Sequence, residues 1–217
     1  AHSGQDPPEP VRDDRPNDSQ LARQVLLLQA FGFFTYPFAC VPFLYFWFRS
    51  HGVDLEQYGA LMSAYYAAMV LAEVPSGALA DRLGPRIAMM LGPVMLALGF
   101  VCLVATPSFE AFLIGEILLG LGHALLSGPP STLLYETLQE RGETGEYHRY
   151  ESRVQATRLA GTGTAFLLGG WLAHHHGLQP TLILTVILCA AAAPIALLMG
   201  SPKHAAPTTG RLALYRQ

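Results

Sequence analysis

Four stretches of this chain contain no Asp, Glu, Lys or Arg: 24–48 (25 residues), 87–109 (23), 117–135 (19) and 159–202 (44). A helix needs about 20 mainly apolar residues to cross a bilayer, and in lipid it satisfies its own backbone hydrogen bonds within one segment. Runs of this length mean either spanning helices or the interior of a large soluble domain, and charge decides between them. Only 13% of the residues are charged, where soluble domains carry about 25%. Eight of those charges lie in the first 23 positions, and 51% of the chain is hydrophobic. That leaves too little charge to coat a water-exposed surface.

Read along the chain, six candidate helices cover 24–48, 56–80, 86–106, 109–137, 153–173 and 181–200, punctuated by Gly and Pro. The expectation is an all-α integral membrane protein of six transmembrane helices. A polar tail would occupy 1–22, the bundle 23–200, and a linker or C-terminal tail 201–217. With the loops assigned to alternate sides, 12 of the 13 Lys and Arg residues fall on one side, leaving Arg49 for the other. Basic loops stay cytoplasmic, so both termini are expected in the cytoplasm, with the bundle in the inner (plasma) membrane. No signal peptide is visible in the polar, Pro-rich start.

A net charge of −3 without a basic cluster excludes a nucleic-acid partner. Cys40, Cys102 and Cys189 sit singly in apolar runs and read as small buried hydrophobes rather than disulfide or metal sites. His174, His175 and His176 point in different directions with no further ligand cluster, and are expected in an exposed loop. No nucleophile elbow, P-loop or zinc-protease pattern occurs, so neither enzyme chemistry, a cofactor nor a metal is expected.

The segment from Gly77 to Arg86 returns 93 residues later, with matches at Gly77/Gly170, Leu79/Leu172, Ala80/Ala173 and Gly84/Gly177. With three helices per copy, the copies cross the membrane in opposite senses, a 3+3 inverted repeat. The first copy is more specific. Gly77-x-Leu79-Ala80-Asp81-Arg82-x-Gly84-x-Arg86, between helices two and three on the basic side, resembles the G-x-L-a-D-r-x-G-r-r signature of major facilitator superfamily transporters. The whole chain is similar to the N-terminal six-helix half of that family, whose members have two halves and 12 helices.

The resemblance implies a gate. Gly77 would allow close helix approach at the end of helix two, and Asp81 would contact a helix of the second half. The basic residues Arg82 and Arg86 would pair with an acid near the cytoplasmic end of helix four, matched here by Glu136. Three departures stand out. Pro85-Arg86 replaces the usual basic pair, Glu116 takes the place of a helix-four arginine found in many proton-coupled members, and the Gly-Pro antiporter signature of helix five is absent.

Ionisable groups inside a bilayer are costly and face a cavity or a partner. Glu116, His123 and Pro130 recur at seven-residue spacing on helix four with Gly120 and Ser127 interleaved, so this stripe is a candidate path. Glu116 is a candidate proton carrier, and His123, about 10 Å deeper by helix rise, a relay or ligand. Glu73 and Arg158 either pair, in a structural or gating role, or stand apart and set the sign of the substrate. Gln29, Tyr36, Tyr65 and Tyr66 add hydrogen-bonding and aromatic surface for an amphiphilic or cationic ligand.

These readings point to a secondary transporter working by alternating access, driven by protons or by substrate gradients. Efflux of a small amphiphile is the first expectation, since Glu73-Val74-Pro75-Ser76-Gly77 resembles bacterial efflux-like members. A metabolite importer and a non-transporting six-helix scaffold or receptor are the alternatives. The partners expected are the lipid bilayer, a small-molecule substrate and either a second six-helix half or another copy of the chain.

Overall fold

A computed structural model describes residues 18–36 and 39–200; the expectations for the two tails lie outside the described residues. Every regular element among those residues is helical: α1 Asp18–Thr35, α2 Leu44–Ser50, α3 Leu55–Leu83, α4 Pro85–Ala105, α5 Phe109–Leu126, α6 Pro129–Glu140, α7 Tyr147–His176 and α8 Gln179–Leu198. Three stretches, Pro85–Ala105, Phe109–Glu140 and Gln179–Leu198, are apolar and long enough to cross a membrane. The other three expected spans are helical but less uniform. The first is interrupted, α3 carries charges at its start, middle and end, and α7 carries four in its first half.

The local chemistry sets these boundaries. α3 starts at a capping box, with the Gln57 amide donating to Asp54 Oδ1 (2.8 Å) and the Asp54 amide to Gln57 Oε1 (3.1 Å). The run 24–48 is not one helix: α1 ends at Thr35, and a 3-10 turn over Val41–Phe43 precedes α2. Pro37 and Pro42 lie in this interval, and proline lacks the amide hydrogen and disfavours a helical residue before it. In the fourth span the helix lapses at Ser127 and Gly128 and restarts on Pro129, a residue suited to the first helical position.

The expected loop around Asp81 shrinks to one residue. α3 runs through Leu83 and α4 begins at Pro85, so Asp81 and Arg82 occupy the last helical turn. Gly84 makes the turn with φ 87°, its amide donating to Ala80 O at 2.8 Å. Gly177 does the same between α7 and α8, with φ 86° and its amide on Ala173 O at 3.1 Å. The three histidines are therefore the exposed last turn of α7 rather than a loop. The two turn glycines are 177 − 84 = 93 residues apart, the offset of the sequence repeat.

Treated as rods, the chain reads α1/α2, α3, α4, then α5/α6, α7, α8. The rods of the two triples match in length: 18 residues before the break, then 29 and 21, against 18, then 30 and 20. Their packing matches too. α3 lies against α5 and α4 against α5; exchanging the triples turns these into α7 against α1 and α8 against α1, both present, while α4 packs on α8. The helix contacts are thus nearly symmetric under exchange of the two triples.

Buried Phe48, Phe112, Met89, Leu96, Leu103 and Leu119 form much of the core. Two polar clasps close it. Gln24 in the second turn of α1 exchanges two hydrogen bonds with the Gly200 backbone after α8 (3.3 and 2.9 Å), and Trp47 Nε1 donates to Leu103 O at 3.1 Å. The Arg86 guanidinium donates to Leu197 O near the end of α8. The end of the bundle where these termini meet also carries Arg82, Arg141, Arg149 and Arg153, whereas Arg49 sits on α2, at the opposite end.

Candidate functional site

A cavity of about 270 Å³ opens between α1, α5, α6 and α7, with Met69 of α3 also on its wall. α1 contributes Phe31, Gly32 and, just beyond its end, Tyr36; α5 contributes His123; α7 contributes Glu151, Gln155 and Arg158. Arg158 lies with its guanidinium carbon 4.7 Å from the centre of the Tyr36 ring, within cation–π range. The Tyr36 hydroxyl donates to Leu126 O at 3.4 Å. Glu151 Oε1 accepts from Ser131 Oγ (3.1 Å) and Gln155 Nε2 (2.7 Å). Gln29 donates to Thr157 Oγ1 at 3.2 Å, tying α1 to α7 beside the cavity.

On the α3 side, the Tyr65 hydroxyl and His123 Nδ1 are 3.1 Å apart, and the same nitrogen is 3.0 Å from Leu119 O. His123 also faces the cavity. Glu116, two turns earlier on α5, is only 2% exposed, and its Oε1 has no hydrogen-bond partner. It lies within electrostatic reach of Tyr65, Tyr58 and Cys40. A carboxyl buried with an unpaired oxygen is a costly arrangement, and Tyr65, within its electrostatic reach, contacts His123 on the cavity wall. Gly120 makes this approach possible: a Cβ there would overlap the Tyr65 carbonyl, so α3 and α5 meet at backbone distance. The expected stripe on helix four is thus divided. Glu116 and Gly120 turn inward against neighbouring helices, while His123, Ser127 and Pro130 line the cavity.

A second, smaller hollow of about 120 Å³ lies at the basic end. Asp81 and Gly77 from α3, Ser127 at the break, and Thr132 and Glu136 from α6 line it. Asp81 and Glu136 therefore face the same space, and Glu136 Oε2 is buried without a hydrogen-bond partner. The basic residues do not join them in this structure. Arg82 is exposed, and Arg86 reaches α8 because it starts α4 on the far side of the Gly84 turn. Gly77 has open space where a Cβ would stand, with nothing among the described residues within 4 Å of it. Leu79 is half-buried on the same turn of α3.

Two further expectations part company. Glu73 is exposed on α3, and no ion pair joins it to Arg158 among the described residues. Tyr66 is 58% exposed and reaches the site only through its edge contact with the Tyr65 ring, 4.8 Å between centroids. No group of three or more His, Cys, Asp or Glu residues suited to a metal occurs among the described residues.

Residues 25–214 match the family model described as Major Facilitator Superfamily. The chain belongs to the major facilitator superfamily. It is 30% identical over 129 residues to the peptide transporter YePEPT of Yersinia enterocolitica subsp. palearctica, covering 58% of this chain and 25% of that protein. It is 34% identical over 98 residues to the multidrug resistance protein MdtH of Cronobacter sakazakii, covering 44% of this chain and 23% of that protein. The chain thus spans about a quarter of the length of these relatives. That superfamily is one of multi-pass membrane transport proteins.

Within that superfamily frame, the residues that hydropathy overlooked are Glu151, Gln155 and Ser131. Glu151 falls before the expected fifth span, Gln155 lies near the start of that span, and Ser131 lies just past the break in the fourth. α7 begins at Tyr147 rather than 153, because the polar segment 147–153 continues the same helix. At 30 residues α7 is about 45 Å long, more than a bilayer core needs. Its spacing held a signal: Glu151 and Arg158 are seven residues apart and share a helix face.

Proposed function

We propose that this chain is one six-helix wing of a secondary transporter that moves a small amphiphile outward by alternating access, with protons as the coupling ion. Glu116 is the proton carrier, and Tyr65 and His123 connect it to the cavity that holds the substrate. All six rods span the inner membrane, with the Asp81 turn and both termini on the cytoplasmic side. Asp81 and Glu136 form the cytoplasmic gate together with Gly77, Arg82, Gly84 and Arg86, and a second six-helix half completes the pathway.

The observation that carries this reading is the buried, unpaired Glu116 oxygen beside a Tyr65–His123 contact that opens into a cavity. A carboxyl in that setting is tolerable when protonated and costly when charged, so its proton is linked to whatever rearranges the site. The relatives' names support a transporter and leave two substrate classes to compare, peptides and drug-like amphiphiles.

The test is the full-length protein in proteoliposomes loaded with a pH-sensitive dye, challenged with gradients of amphiphilic dyes and of dipeptides. Proton movement with an amphiphile and its loss in Glu116→Gln, with substrate binding kept, is the expected result. Proton movement only with dipeptides would replace the efflux reading by metabolite import. Substrate movement without protons would remove Glu116 from the mechanism.

A further inference from the structure

Arg158 lies inside α7, 158 − 147 = 11 residues past its first residue. Its stem packs on α1, where a Cβ at Gly32 would stand 3.7 Å from Arg158 Cβ, and its head rests on the Tyr36 ring at the cavity wall. No acidic side chain among the described residues pairs with it. Glu73 is exposed elsewhere on α3, and Glu151 shares the cavity but sits seven residues away on α7, about 10.5 Å by helix rise. Glu151 is also engaged by Ser131 and Gln155.

A guanidinium turned into a membrane-embedded cavity without a counter-ion is poorly solvated, and the aromatic ring beneath it offsets that only in part. What it lacks is an anion. Its planar fork matches the two oxygens of a carboxylate, while Phe31, Met69 and Leu126 nearby offer apolar contact for the rest of a ligand. Glu151, two helical turns from Arg158 along the α7 wall of the cavity, repels a second anionic group and so orients a monoanion with its charge toward Arg158.

We propose that Arg158, seated on Tyr36, is the anion-recognising element of this cavity, and that the ligand is a small amphiphile bearing one carboxylate. The proposal rests on the cavity being the substrate site. It names a charge that the transport reading leaves open.

Three probes share an aromatic body and differ in charge: N-acetylphenylalanine (anion), its amide (neutral) and phenylethylamine (cation). Each is titrated by calorimetry into the full-length protein in detergent, as wild type and as Arg158→Gln, Arg158→Lys and the surface control Arg149→Gln. The anion is expected to bind at least about tenfold more tightly than the amide, as for one charge-assisted contact. Arg158→Gln should abolish that preference, Arg158→Lys should keep part of it, and Arg149→Gln should leave it unchanged. Failure of the anion to bind best, or a preference that survives Arg158→Gln, overturns the proposal. Equal binding would mean that an acid from the second half already neutralises Arg158. Because the titration uses no gradient, it is independent of the proton assay: a charge preference without proton movement would spare Arg158 and remove coupling, and the converse result would do the opposite.

Discussion

The α4–α5 crossing gives the most quantitative prediction. Gly99 and Gly115 face each other: a Cβ on Gly99 would stand 2.9 Å from Gly115 O and 2.8 Å from Leu119 Cγ. Carbon–oxygen contacts of this kind relax at about 3.3–3.6 Å. Gly99→Ala therefore forces the helices apart by roughly half an ångström, against a backbone carbonyl that has no rotamer to change. Overpacking of this kind costs about 1–3 kcal/mol, while replacing glycine in a helix returns about 0.5–1 kcal/mol. Gly163→Ala on α7 is the matched control, since a Cβ there meets nothing within 4 Å and only the gain applies. The two variants should differ by about 2 kcal/mol, which for a unit of this size is about 4–8 °C in melting midpoint. The assay is thermal unfolding of the full-length protein in detergent, followed by tryptophan fluorescence. Equal midpoints, or a Gly99→Ala variant more stable than wild type, would refute the close crossing.

Two further stability effects follow from single contacts. Asp54→Ala removes the capping box at the start of α3 and should cost about 0.5–2 kcal/mol, with Asp54→Ser recovering most of it in the same melt. Gln24→Leu deletes both hydrogen bonds to the Gly200 backbone, a loss of about 0.5–1.5 kcal/mol for each. Hydrogen exchange should show that loss first at the ends of α1 and α8; protection unchanged there would mean that the clasp is incidental.

Hydropathy made the rods legible because lipid rewards long uncharged runs, and α4 and α8 stand where those runs stand. It misplaced the ends wherever polar residues continue a helix. Asp81 and Arg82 belong to α3, and 147–153 belongs to α7, because helix continuity depends on the backbone and not on hydropathy. The turn at Gly84 was readable, since its matched glycine at 177 marked both helix ends. Arg86 was read toward Glu136, but its guanidinium reaches the carbonyl of Leu197, whose nearness depends on α4 packing against α8. No spacing along one chain encodes that contact. The candidate site was half visible: Tyr36, Tyr65, Glu116, His123 and Arg158 were chosen for polarity within apolar runs, whereas their pairing depends on which helices cross.

The repeat also explains why the site has two chemically different sides. Residues 65 and 158 are 158 − 65 = 93 apart, so they hold the same place in the two triples. Each makes a contact across an exchanged crossing, Tyr65 to His123 between α3 and α5, and Arg158 to Tyr36 between α7 and the end of α1. Ser76 and Gly169, also 93 apart, each meet a backbone carbonyl of the partner rod. Ser76 Oγ donates to Ala124 O at 3.0 Å, and Gly169 packs on Ala39 O. The scaffold thus sets two repeat-related positions at corresponding crossings, each with its own partner: His123 within α5 for Tyr65, and Tyr36 just beyond α1 for Arg158. A phenol against an imidazole can pass a proton without holding a fixed charge, whereas a guanidinium on a phenol ring keeps its charge and cannot give up its proton. On the proposed reading, proton traffic belongs to the first crossing and charge recognition to the second, and this division follows from the residues placed there.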